Sequence, residues 1–393
     1  MDDSNSISMG HVDQTGGNEP AQSPEDRTIT EEGRRAAQYI RDLYESGAKL
    51  WTKESLREIE DILEAGQPSR ELKLRHMDGQ QRETWVPPLD RIMNNQRTRR
   101  PEDELLLQGS LRAHFVCYRQ MLYDAEGYDG SDGYYDRKHE VENGRYGRFL
   151  RSLEVVASTW SCQPGTGPSV QALTEEWEGV RALWLSSSAC ADLLTIFSHH
   201  KDLPKITKVV CFGLGCLSSP MDPDEKEVDY KRHMRRRMTQ HAAALSVAAK
   251  VGELLGVDDI AVLAQDPAYT DDDRQFLDEI GIQVVGMHGA MGFVHVDDQS
   301  IVMSCSPDIC VKQVIADIAR PAAVIWNRVT TEEEDEFEWS TVVEPDGQEI
   351  SVSPWTTDDD SPRTRKMIES YTRYTFVKDD ANFTDIEVGI RKD

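Results

Sequence analysis

The 393-residue sequence contains no Cys-x-x-Cys pair, no apolar run of membrane-spanning length and no surplus of positive charge. Each absence excludes something. Its seven cysteines, Cys117, Cys162, Cys190, Cys211, Cys216, Cys305 and Cys310, are odd in number and scattered. They read as reduced thiols rather than as a disulfide framework, a zinc knuckle or a redox pair. A helix that crosses a bilayer needs about 20 consecutive apolar residues, so no membrane span is expected. With a formal net charge of -27 the chain is repelled by nucleic-acid phosphates and anionic lipids, and neither bulk nucleic acid nor a membrane is expected as a partner. The opening residues lack the apolar core of a signal peptide and the arginine bias of a transit peptide. They point to the cytoplasm, with the nucleus as second compartment.

What is present divides the chain into four parts. Residues 1–33 read as a polar, disordered leader, residues 34–170 as a helical region, residues 171–330 as an α/β domain, and residues 331–393 as an acidic linker with a hairpin and a closing helix. In the helical region, "EEGRRAAQYIRDLYESG" and "WTKESLREIEDILEAG" space their apolar residues at helical intervals and end on glycine. "PEDELLLQGSLRAHFVCYRQMLYDAEG" opens with proline and acids and predicts one long helix, and another is expected in "RYGRFLRSLEVVAS". "TEEWEGVRALWLSSSACADLLTIFSHH" predicts a single helix capped by Thr174. Asp346-Gly347 marks the hairpin, and "SPRTRKMIESYTRYTF" the last helix.

From Lys208 the rhythm changes. Apolar runs of strand length, "KVVCFGLG", "DIAVLAQD", "IQVVG", "SIVMSCS" and "AAVIWNR", alternate with helical segments. Near-continuous Val, Ile and Leu imply strands buried on both faces, as in a parallel sheet covered by helices. In "TDDDRQFLDEIG", Thr270 stands as N-cap and Asp273 at the capping-box position. The fold class expected is α/β: a Rossmann-like, doubly wound, mostly parallel sheet over Ile206 to Arg328, with an N-terminal helical region.

The first strand runs into Gly213-x-Gly215. In a dinucleotide fingerprint these would make the turn and admit a pyrophosphate, but Ser218 stands where the third glycine belongs. Asp266-Pro267 ends the second strand, where an acid would accept ribose hydroxyls. A cofactor-binding set of Gly213, Gly215, Ser218, Asp266 and Pro267 therefore stands beside a purely structural turn as the other reading. The cofactor is not named by the sequence; a nucleotide or S-adenosylmethionine fits the pattern. Arg235, Arg236 and Arg237 form a basic island before the first crossover helix, suited to an anion or equally to a solvated face paired with nearby acids. Ser304, Cys305 and Asp308 lie at the fourth strand's end, and His288 near the sheet's C-terminal edge. No metal site is expected, because the acidic loop from Asp124 to Asp136 fails the calcium spacing and His199-His200 close a helix.

The strand and turn "VVCFGLGCLS", Gln240 with "QHAAALSVAAKVGELL", the block "QDPAYTDDDRQFLDEIGIQVV" and "SIVMSCSPDIC" together resemble the SRR-like domain, the family named for plant "sensitivity to red light reduced". The resemblance covers most of Lys205 to Arg328, and "YESGAKLWTKESLREIEDIL" is similar to the leading segment of fungal members. It implies a regulatory protein, since family members act in circadian and phytochrome signalling, a microtubule-related role and control of haem biosynthesis. It brings no settled catalytic activity. The family's Pro-His-Cys-like segment is here Pro307-Asp308-Ile309-Cys310, without the histidine. Three functions follow as expectations: a regulator binding a nucleotide-type small molecule or a protein partner, a nucleotide- or S-adenosylmethionine-dependent transferase, and a non-catalytic interaction scaffold.

Overall fold

The computed structural model describes residues 29–66, 71–86, 110–127, 146–158, 167–200, 203–221, 225–331, 340–343, 349–352, 357–376, 379 and 381–392. The expected leader up to residue 28, the acidic stretch at 332–339 and the Asp346-Gly347 turn lie outside them.

The N-terminal part begins with α1 (Glu31–Glu45) and α2 (Lys53–Glu64). Thr30 caps the first, and Thr52 and Ser55 form a reciprocal capping box on the second. It continues with β1 (Glu71–Arg75), β2 (Gln81–Trp85), β3 (Ser110–Phe115), α3 (Tyr118–Glu126), a 3-10 turn at Gly147–Leu150 and β4 (Leu153–Ser158). Strands β1 and β2 form one antiparallel pair and β3 and β4 another. The single helix expected across residues 101–127 is thus corrected to a strand followed by a helix. Leu111, Ala113 and Phe115 are buried while Arg112 is half-buried and His114 exposed, a period of two that pairing with β4 imposes. The same pairing turns "RYGRFLRSLEVVAS" into a short turn and a strand.

Helices α4 (Val170–Leu185) and α5 (Ser188–Ser198) replace the one long helix expected there. Ser169 caps α4, and Thr174 sits inside it, its hydroxyl donating to the Val170 carbonyl at 2.9 Å. The break falls where Ser187 accepts the Cys190 amide at 3.0 Å and starts a new helix.

The central sheet uses β5 (Lys208–Phe212), β6 (Ala261–Gln265), β7 (Ile282–Val284), β8 (Ser300–Ser304) and β9 (Ala323–Asn327), with α6 (Glu227–Leu255), α7 (Asp271–Glu279), α8 (Met291–His295) and α9 (Val311–Ile318) between them. A separate two-stranded ladder, β10 (Ser340–Val343) with β11 (Glu349–Val352), precedes α10 (Pro362–Ile368), β12 (Tyr371–Thr375) and β13 (Ile386–Arg391). The seven strands run in the order β12-β13-β9-β8-β5-β6-β7. Those from β9 to β7 are parallel, and β13 is antiparallel to both its neighbours. The protein is therefore a mixed α/β molecule built on a mostly parallel sheet. The last two strands lie beyond residue 330; the closing helix expected in "SPRTRKMIESYTRYTF" stops at Ile368, and β12 follows it.

Alternate residues of each strand enter two different cores. Val210, Phe212, Val302, Val324 and Trp326 join the side chains of α1, α2, β3, α8 and α9. Val209, Cys211, Ile301, Met303 and Ile325 join those of α4, α5, α6 and α7. The N-terminal part is consequently a layer on the sheet, not a detached lobe. Glu60 shows how it is held: its buried carboxylate accepts the amides of Met287, His288, Ala290 and Met291 at 2.6 to 3.1 Å, in the loop that leaves β7. A carboxylate inside the apolar stripe formed by Leu56, Ile59 and Leu63 is the one sequence signal of that contact. Among the described residues no single helix is long and apolar enough to cross a membrane.

Candidate functional site

The turn after β5 is held open by glycine. Gly213 and Gly215 have φ of 65° and 88°, a region that residues with a Cβ enter only at a cost. Space excludes a side chain as well. A Cβ on Gly213 would lie 3.1 Å from the Pro307 ring, and one on Gly215 would lie 2.9 Å from the Arg237 side chain.

The amides of this turn face the chain's own carboxylates. Gly215 donates to Asp266 Oδ2 at 2.9 Å, and Asp266 Oδ1 accepts the Ala268 amide at 2.9 Å. Leu217 and Ser218 both donate to Asp273 Oδ1 at 2.8 Å, while Asp273 Oδ2 accepts from Thr270 N at 2.8 Å and from Cys216 Sγ at 3.0 Å. In a nucleotide-binding loop a phosphate would meet such donors; here Asp273 fills the cradle. Arg237 completes it, donating from Nη1 to the Cys216 carbonyl at 2.9 Å.

Burial pushes the Asp266 carboxyl up, its two amide donors oppose the rise, and the Asp308 charge adds to it. Beneath the turn, His241 donates from Nδ1 to the Arg237 carbonyl at 2.8 Å, so its Nε2 accepts from the Tyr269 hydroxyl at 2.8 Å. Burial lowers this imidazole to about 4 and keeps it neutral.

The other residues singled out from sequence fall around the same edge. Pro267 packs beside Gly289, whose missing Cβ would lie 3.0 Å from the proline ring. His288 donates from Nδ1 to the Leu111 carbonyl at 2.6 Å and holds β3 there. Ser304 is fully buried, and among the described residues its hydroxyl has no partner. Cys305 is buried and its thiol is pushed up to about 12 by that burial, with Arg236 opposing, which keeps it protonated and unsuited to nucleophilic attack. Asp308 is exposed, next to the Pro307 that rests on Gly213.

The basic island splits in two. Lys231 pairs with Glu227 at 2.6 Å and Arg232 with Asp229 at 3.0 Å on the helix surface, whereas Arg237 turns into the loop, and the half-buried Arg236 charge opposes the rise of the Cys305 thiol. Arg235 is exposed.

Sequence reasoning missed three contributors. Asp273 was legible only as a cap, and nothing in its spacing connects it to Ser218. Arg112 and Asn327 arrive from β3 and β9. Asn327 accepts the Ser306 amide at 2.7 Å through Oδ1 and donates to Thr384 Oγ1 at 2.6 Å, which holds Ser306 at a φ of 53°. Among the described residues no group of three or more His, Cys, Asp or Glu could hold a metal ion.

Fold and loop together define an α/β domain whose turn-forming glycines and acid-filled amides meet at the C-terminal end of a parallel sheet. Residues 193–386 match the family model of the SRR1 domain. The match extends past the 205–328 core of the resemblance and takes in β12. No curated protein and no solved structure matches the chain.

Proposed function

We propose that this is a regulatory SRR1-domain protein of the fungal type, acting in the cytoplasm or nucleus, whose Rossmann-like sheet binds a nucleoside-type small molecule. The reading is supported by strand order and crossover side. Counted from β5, the parallel strands run 3-2-1-4-5; α6 and α7 cover one face, and α8 and α9 the other. In such sheets the ligand lies where the order reverses, outside the ends of β5 and β8.

One observation carries the proposal: the half-buried Asp266 ends β6 with its carboxylate against Gly215 N at 2.9 Å. Each of its oxygens keeps a lone pair for a ribose hydroxyl. Asp273 occupies the amides that a pyrophosphate would need, which favours nucleosides over dinucleotides. A second reading, an S-adenosylmethionine-dependent transferase, is favoured by the reversed β13 inserted between β9 and β12, an order common among those enzymes. A protein partner is the alternative occupant.

The test is thermal denaturation of the full chain with adenosine, S-adenosylmethionine, NAD and ATP, because a ligand that binds only the folded form raises Tm. A rise with adenosine or S-adenosylmethionine that Asp266→Asn abolishes supports the reading. No rise with any of the four overturns it.

A further inference from the structure

We propose that the ligand of this site ends in an amino-acid-type zwitterion, its carboxylate received by Arg112 and its ammonium by Asp308. The proposal rests on the nucleoside reading and names the part of the ligand that Asp266 does not hold.

Arg112 reaches the site from outside the matched domain. Ala113 donates its amide to the His288 carbonyl at 2.7 Å, and His288 Nδ1 donates to the Leu111 carbonyl, which pins β3 across the loop leaving β7. Gly289 is wedged there against Pro267, the residue after Asp266. Asp308 approaches from the opposite side, one residue beyond the proline that rests on Gly213. A cation and an anion thus flank the ends of β5 and β6.

They sense each other electrostatically without forming an ion pair. Among the described residues, neither side chain has a hydrogen-bond partner. For an exposed aspartate this is ordinary. The half-buried Arg112 guanidinium keeps its donors within reach of solvent, since none is among the fully buried unpartnered atoms, and so can offer them to a ligand. Burial depresses Arg112, while Asp308 and Asp266 support its charge. A group that carries a carboxylate and an ammonium on one carbon would offer a partner to each side chain, the carboxylate meeting the guanidinium fork in its preferred planar geometry. A phosphate would satisfy Arg112 and be repelled by Asp308.

Two sources offer this chemistry: a free amino acid and the amino-acid end of S-adenosylmethionine or S-adenosylhomocysteine. Isothermal titration of the full chain with S-adenosylhomocysteine, adenosine and L-homocysteine separates them. We expect S-adenosylhomocysteine to bind at least tenfold more tightly than adenosine. Arg112→Gln and Asp308→Asn should each remove most of that margin and leave adenosine unchanged. If adenosine binds as well as S-adenosylhomocysteine, or both variants bind the latter like wild type, the zwitterion is wrong and the nucleoside reading stands. Binding of L-homocysteine without adenosine keeps the zwitterion and overturns the nucleoside. Binding of none overturns both. Asp308 is on the surface, so its variant carries the test should Arg112→Gln fail to fold.

Discussion

Asp273 and Ser218 are 55 residues apart in sequence, yet the carboxylate of one accepts the amide of the other at 2.8 Å and that of Leu217 at the same distance. The side chain that caps α7 also fastens the turn after β5. Cap and turn are one structure. The loop has its anion built in, and any ligand reaches it with those amides already satisfied.

Asp273→Asn should therefore cost more than an ordinary cap. An asparagine of the same shape turns one acceptor into a donor that faces backbone N–H groups, and the loss expected is about 3 to 5 kcal/mol. Urea denaturation measures it. A loss below about 1 kcal/mol would show that the loop does not depend on the carboxylate.

Glu60→Gln tests the seam between the N-terminal layer and the sheet. One neutral acceptor then faces four amides, and we expect a loss of about 2 to 4 kcal/mol. Hydrogen exchange should accelerate at Met287, His288, Ala290 and Met291. Unaltered protection there would place the attachment elsewhere.

Gly215 and Gly281 share a φ of 88°, but only Gly215 has a neighbour in the way: a Cβ at Gly281 meets nothing within 4 Å. Alanine should cost about 1 to 3 kcal/mol at either site through backbone strain, with a further loss at Gly215 from contact with Arg237. Adding Arg237→Ala should make the Gly215→Ala step cheaper. Equal losses in both backgrounds would mean that the arginine moves aside freely.

His76 and His241 are buried and lowered to about 4, in each case chiefly by that burial. Both fold as neutral rings, so their stabilising effect is complete above the ordinary value near 6.5 and is lost as pH falls toward 4. Each should remove about 2 to 3 kcal/mol by pH 4.5. Stability curves at several pH values should be flatter across that window in His76→Phe than in wild type. Parallel curves would exclude His76 as a source of the acid sensitivity.

Asp358 has the opposite sign. Burial raises its carboxyl to about 7, although Lys312 and the Lys312 amide pull it down. Its neutral form suits the fold, so the associated stability is complete below the ordinary value near 3.8 and is lost as pH rises toward 7. Asp358→Asn keeps an acceptor for the Lys312 amide at the N-terminal turn of α9 and removes the buried charge. Its stability relative to wild type should improve between pH 4.5 and pH 8. No change in that difference would show that the carboxyl titrates normally.

Much of the sheet was readable because its signals are local. Runs such as "KVVCF" and "SIVMS" bury both faces of their strands, and Thr270 caps a helix three residues from Asp273. β3 was misread because only Leu111, Ala113 and Phe115 alternate, after an apolar run in "ELLLQ" that suits a helix. β13 went unseen because its place in the sheet depends on β9 and β12, which both precede it in the chain, β9 by more than fifty residues.

The sequence by itself determined the parallel core, the positive-φ glycines of its first turn, the acid that ends the second strand and the likeness to the SRR1 domain, since each rests on residues within a strand or a turn of one another. Only the tertiary structure decided what those residues meet: Asp273 in the amide cradle, Pro307 over Gly213 and Glu60 fastening the N-terminal layer. These are contacts between distant segments, chosen by how the layers pack against the sheet, and no periodicity along the chain encodes which carboxylate will find which amide.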